Sequence, residues 1–121
     1  MRTILVAEDM ESVRKFMTLA LKLSDWDVIP VADGKSALEV LSLADIDLLI
    51  TDLGMPEIDG ITLIKKVRVM ENYKDLPVIV LSGLGDEMIK EAMEAGANSY
   101  LTKPFNAKKI QQEINKYLKQ P

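Results

Sequence analysis

The sequence has no cysteine and no histidine. Without thiols, disulfides and thiolate metal sites are excluded. Without imidazole, the chain cannot carry phosphohistidine, use a histidine base or ligate zinc in the usual way. Glycine and proline are sparse, six and five in 121 residues, too few for a low-complexity chain. No apolar stretch approaches the length that spans a bilayer, and no N-terminal signal pattern is visible. The expectation is a cytoplasmic protein with no membrane partner. The net charge of -4 leans against nucleic acid as a direct partner.

What is present is enough apolar material, 48% of the residues, for one domain over residues 1–121. Short apolar runs alternate with amphipathic stretches from end to end. Strands fit 3–7, 27–31, 48–51, 78–81 and 99–102. The first helix shows Val13, Phe16, Met17, Ala20 and Leu21 on one face, and the last shows Ile110, Ile114, Tyr117 and Leu118. Shorter helices fit Lys35–Ser42, Gly60–Glu71 and Asp86–Ala95. Such alternation predicts an α/β fold, a five-stranded parallel sheet with helices on both faces. The runs Ile4–Ala7, Leu48–Ile50 and Val78–Leu81 are continuously apolar, as inner strands should be. Pro30 cannot donate to a ladder, so the second strand should lie at an edge. The mixed run Ser99–Thr102 suits the other edge. The order 2-1-3-4-5 satisfies both, a flavodoxin-like doubly wound sheet with its switch point between the ends of strands 1 and 3.

Five polar residues end these runs: Glu8, Asp9, Asp52, Ser82 and Lys103. In a parallel sheet they converge on one edge. Two carboxylates about 4 Å apart repel by roughly 4 kcal/mol at an effective dielectric near 20, so the cluster needs a cation or must hold protons. Magnesium fits best, since it prefers oxygen and keeps several waters. Each residue also has a plainer reading. Glu8 or Asp9 could cap the first helix, and Asp52 and Ser82 could be turn residues. A lone surface Lys103 would be merely solvated. The company they keep favours the site.

With these residues in place, the chain resembles the receiver domains of two-component response regulators, the CheY-like family. The carriers are Glu8-Asp9, Asp52 with Met55-Pro56 and Asp59-Gly60, Ser82-Gly83, Ala95-Gly96-Ala97 and Lys103-Pro104-Phe105. The resemblance covers the whole chain. It implies that Asp52 accepts a phosphoryl group from a sensor histidine kinase or phosphotransfer protein. It implies magnesium bound by Asp9, by Asp52 and by the Gly54 carbonyl, with Glu8 acting through water. Ser82 and Lys103 would contact the phosphoryl group. Ser82 and Tyr100 would form the switch, and helix 4, strand 5 and helix 5 would meet an output protein or domain. A cis Lys103–Pro104 bond also follows from the resemblance. The segments Met10–Met17 and Asn106–Lys119 lean toward the stand-alone form rather than a receiver cut from a longer regulator.

Some features depart from the family. Gly54 and Leu84, two residues after Asp52 and Ser82, offer no polar side chain to screen a phosphoryl group. The only tryptophan, Trp26, precedes strand 2, away from the acceptor. Two rival readings share the fold. A flavodoxin-like cofactor binder would need a phosphate-cradling loop after strand 1, where Glu8-Asp9 would repel the phosphate. A magnesium-dependent aspartyl-phosphate phosphatase would need a second Asp at position 54. The signalling reading therefore leads, with any enzymatic activity confined to the domain's own phosphorylation and dephosphorylation.

Overall fold

The computed structural model describes residues 2–83 and 86–119. Strands β1 (Thr3–Ala7), β2 (Asp27–Val31), β3 (Leu48–Asp52), β4 (Val78–Ser82) and β5 (Ser99–Thr102) alternate with helices α1 (Glu11–Leu23), α2 (Gly34–Leu43), α3 (Gly60–Arg68), α4 (Asp86–Ala95) and α5 (Ala107–Asn115). All pairings are parallel and the order is β2-β1-β3-β4-β5. Pro30 stands opposite Val6 on the edge strand β2, and β5 forms the other edge.

Alternate strand residues feed two cores, as the two-residue period of a strand requires. Leu5, Leu49, Val78 and Val80 pack with Ala37 and Leu41 of α2, with Ile61, Leu63, Ile64 and Val67 of α3, and with Ala92 of α4. Ile4, Val6, Leu48, Ile50, Ile79 and Leu81 pack with Met17 and Leu21 of α1 and with Ile110 and Ile114 of α5. Residues 4–7, 48–50 and 78–81 are all fully buried, which explains their unbroken apolar character. Trp26 is buried in the second core, and its indole N–H donates to Gln111 Oε1 on α5 at 3.0 Å.

Local signals set several helix starts. Asp33, Asp59 and Asn106 each accept the N–H of the residue three positions on, at the starts of α2, α3 and α5. Several boundaries differ from the sequence reading by a residue, and the last helix ends at Asn115, short of Tyr117 and Leu118. The expected helix over Gly60–Glu71 stops at Arg68, and a 3-10 turn follows at Glu71–Tyr73. The apolar pattern continues, but Tyr73 must turn back to the loop after α2. Its hydroxyl donates to the Ala44 carbonyl at 2.7 Å and accepts the Ile46 N–H at 3.3 Å. A continuous helix could not also deliver that buried ring.

Gly60 ties α3 to β3. Its N–H donates to the Leu53 carbonyl at 3.0 Å. A methyl group at this position would press into the Asp52 carbonyl and sit 2.8 Å from the Leu53 Cα. Backbone cannot swing aside as a side-chain tip can. Gly60→Ala should therefore destabilise the fold by about 1–3 kcal/mol, and the strain should fall on Asp52 itself. Urea unfolding checks the first point. A variant as stable as the parent would show that α3 shifts away freely.

Candidate functional site

The parallel register assembles the site. Ala7 pairs with Thr51, so Glu8 emerges beside Asp52. Asp52 pairs with Leu81, so Ser82 lies one step further along β4. Ser82 pairs with Thr102, and the Lys103 N–H then donates to the Ser82 carbonyl at 2.8 Å. The Lys103–Pro104 bond is cis, as expected. Carboxylate oxygens of Glu8, Asp9 and Asp52 all lie within 4.8 Å of one another.

The three carboxylates differ in setting. Asp9 is exposed and Asp52 half-buried. Glu8 is 0% exposed. Its Oε2 accepts the Met10 N–H at 3.0 Å. Its Oε1 has no hydrogen-bond partner, and the Lys103 ammonium stands 3.8 Å away. Burial pushes the Glu8 carboxyl up to about 7, and the charge of Asp52 and contact with Asp9 add to this. The Met10 N–H and Lys103 work in the opposite direction. A buried carboxylate oxygen with no donor, facing two more carboxylates, is what a hard cation would satisfy. The residues present fit a divalent ion with oxygen ligands.

Asp52 Oδ1 accepts the N–H of Leu53 at 2.8 Å. Beside it opens a pocket of about 280 Å³ lined by Asp52, Gly54, Ser82, Met88 and Lys103, with Leu53, Leu81 and Gly83 completing its wall. Among the described residues, a Cβ at Gly54 would meet nothing within 4 Å. Leu84, the other position expected to bear on screening, lies outside the described residues.

The plainer readings fare unevenly. Ser82 is the last residue of β4 and 3% exposed, a strand residue rather than a turn residue. Met10, which makes no side-chain cap, precedes α1. Neither Glu8 nor Asp9 is the helix cap, although Glu8 satisfies the N–H of Met10. Tyr100 lies on β5, 47% exposed, with its ring outside the core. Two residues escaped the sequence reading. Met88 reaches the pocket from the first turn of α4. Arg14 of α1 donates to the Glu8 carbonyl at 2.8 Å and to the Asp9 carbonyl at 3.3 Å. Helical phase could have placed Arg14 on the loop side of α1; nothing in the sequence marked Met88.

The sequence model of the response regulator receiver domain matches residues 4–115. Chemotaxis protein CheY-3 of Vibrio cholerae is 35% identical over 115 residues, covering 93% of this chain and 88% of that protein. The chain spans about half the length, 48%, of the probable transcriptional regulators among its curated relatives. The structure of chemotaxis response regulator CheY4 of Vibrio cholerae superposes with a TM-score of 0.92 at 30% identity, covering 98% of this chain and 99% of that one. The receiver domain of sensor histidine kinase PA1611 from Pseudomonas aeruginosa, solved with a magnesium ion coordinated in its active site cleft, gives a TM-score of 0.88 at 28% identity and covers 96% of each chain. The acidic pocket thus sits at the end of a flavodoxin-like sheet whose sequence and fold both match one signalling family, and the chain belongs to the response regulator receiver domains of two-component systems.

Proposed function

We propose that Asp52 is the phosphoryl acceptor of this receiver and that it works with magnesium. The observation that carries this reading is the crowding of Glu8, Asp9 and Asp52 with an unpartnered Glu8 oxygen and the Lys103 ammonium. The donor is a sensor histidine kinase or a phosphotransfer protein. An Asp52 oxygen attacks phosphorus, the P–N bond of the donor phosphohistidine breaks, and its electron pair leaves on the imidazole nitrogen. With Oδ1 engaged by Leu53, Oδ2 is the attacking oxygen in this reading. Lys103 and Ser82 hold the phosphoryl oxygens in the pocket they line.

Asp9, Asp52 and the Gly54 carbonyl would hold the ion directly, and Glu8 through water. A bound magnesium ion would supply the positive charge that three carboxylates and an incoming phosphoryl group lack. Its affinity for this fold finds support in the magnesium seen in the cleft of the PA1611 receiver. The domain is not an enzyme in the ordinary sense; it catalyses at most its own phosphorylation and dephosphorylation. The reading carries a cytoplasmic location with it, where kinase and receiver meet. Among the described residues no helix is long and apolar enough to cross a membrane.

The output runs from Ser82 to Tyr100. The Ser82 hydroxyl moves toward the phosphoryl group and vacates space, and the exposed Tyr100 ring turns inward. This reshapes the surface of α4, β5 and α5, which meets the output protein or domain.

Phosphorylation should require both magnesium and Asp52. Incubation with a small acyl phosphate and mass measurement should show one added phosphoryl group, lost in Asp52→Asn. An Asp52→Asn variant that gains the group at the parent rate would overturn the assignment.

Magnesium and protons should compete for stability. In the metal-free fold Glu8 holds its proton up to about pH 7, whereas an unfolded glutamate loses it near 4.5. Between these values the native state binds more protons, so this contribution to stability falls as pH rises. Melting in EDTA should show that fall, and Glu8→Gln should flatten it. Magnesium binds the deprotonated cluster, so its stabilisation should grow over the same range. Equal magnesium stabilisation at both ends of the range would contradict the linkage.

Ser82→Ala should still be phosphorylated on Asp52, with a smaller change at the proposed output surface. Amide shifts of residues 86–102 on adding a phosphoryl mimic are the measure. Shifts as large as the parent's would remove Ser82 from the switch.

A further inference from the structure

Arg14 is not among the residues that touch Asp52 or the pocket, yet it touches the loop that carries two of the three carboxylates. Its Nη1 donates to the Glu8 carbonyl at 2.8 Å and to the Asp9 carbonyl at 3.3 Å. Both are main-chain acceptors between β1 and α1, and both belong to residues whose side chains form the acidic cluster. Arg14 is half-buried and closes the first turn of α1. A cation near a helix N-terminus opposes the helix dipole, so local helix stability does not explain it.

Besides Arg14, the loop is held by one bond of its own, from the Met10 N–H to Glu8 Oε2 at 3.0 Å. Met10 supplies no side-chain cap to α1. The Glu8 N–H donates to the Val31 carbonyl at 3.1 Å, which extends the ladder by one residue and no further. Asp9 is exposed, and its main-chain carbonyl is turned toward Arg14. A peptide plane held at its oxygen holds the Cα atoms at its two ends. Holding the Glu8 and Asp9 carbonyls therefore narrows the positions from which Glu8 and Asp9 reach toward Asp52.

Resting on the magnesium reading above, we propose that Arg14 is a positioning residue for the cation site: its guanidinium pins the Glu8 and Asp9 carbonyls and so pre-orders the acidic cluster. The two effects of removing it have opposite signs. Charge alone would make the site a better cation binder, because a positive neighbour is gone. Loss of positioning would make it a worse one, because the carboxylates must be ordered at the moment of binding.

The test is calorimetric titration of magnesium into the full chain, with the parent, Arg14→Met and Arg14→Lys compared. Arg14→Met should bind about tenfold more weakly, the lower end of what losing an outer-shell partner costs. Arg14→Lys, which keeps the charge and a donor, should fall between the two. At saturating magnesium the phosphorylation rate of Arg14→Met should return close to the parent's, whereas Asp52→Asn cannot be rescued. Melting in EDTA controls for folding, and Arg14→Lys serves if Arg14→Met does not fold. Parent-like or tighter magnesium binding by Arg14→Met, or by Arg14→Lys where only that variant folds, would overturn the inference while leaving the acceptor assignment intact. A parent chain that binds no magnesium would instead overturn the reading on which it rests.

Discussion

Three carboxylates within 4.8 Å of one another set the terms for the rest of this molecule. Charging all three at once is costly, most of all for buried Glu8 beside Asp52. The β1–β3 register sets Glu8 and Asp52 at neighbouring strand ends regardless, while Asp9 sits on the loop whose carbonyls Arg14 holds. The repulsion is answered from two directions. Lys103 reaches across from beyond β5 to within 3.8 Å of Glu8. Glu8 itself, fully buried, relieves part of the charge by keeping its proton up to about pH 7. That partial answer is what leaves the site receptive to a cation.

The scaffold is arranged so that the cluster cannot relax away. The central strands are sealed on both faces by α1 and α5 on one side and by α2, α3 and α4 on the other. Such packing is dense and yields little to local strain. Gly60 brings the start of α3 against the Asp52 carbonyl, at a distance that no larger residue tolerates. Asp52 is thus paired with Leu81 of β4 on one side and crowded by the start of α3 on the other. The Asp52 main chain has few ways to move, and the side chains around it carry whatever motion the site needs.

Most of the sheet could be read in the residues because its causes are local. Pro30 cannot sit in an inner strand, and Ile4–Ala7 or Val78–Leu81 cannot sit at an exposed one. The strand ends then brought Glu8, Asp52, Ser82 and Lys103 together by register alone. What escaped depended on contacts between distant segments. The end of α3 at Arg68 is set by Tyr73 reaching the carbonyl of Ala44, a partner 29 residues away. The inequality of the carboxylates was also hidden: nothing in Glu8-Asp9 says that the first is buried and the second exposed. Arg14 and Met88 looked like ordinary helix residues, because their part in the site depends on how α1 and α4 sit over the strand ends.

The geometry of α4 links the pocket to the surface. At its first turn Met88 lines the pocket beside Asp52 and Lys103. Just beyond its other end, Arg68 of α3 grips the Gly96 carbonyl through Nε at 3.1 Å and Nη2 at 2.7 Å, and Nη2 also reaches Asn98 at 3.0 Å. Asn98 in turn accepts the Val78 N–H at the start of β4. The helix is therefore tied to α3 and β4 at its C-terminal end and borders the pocket at its N-terminal end. An element held at one end responds to a local push by pivoting rather than by sliding. A push on Met88 from inside the pocket would then be felt along α4 without disturbing the sealed sheet beneath it.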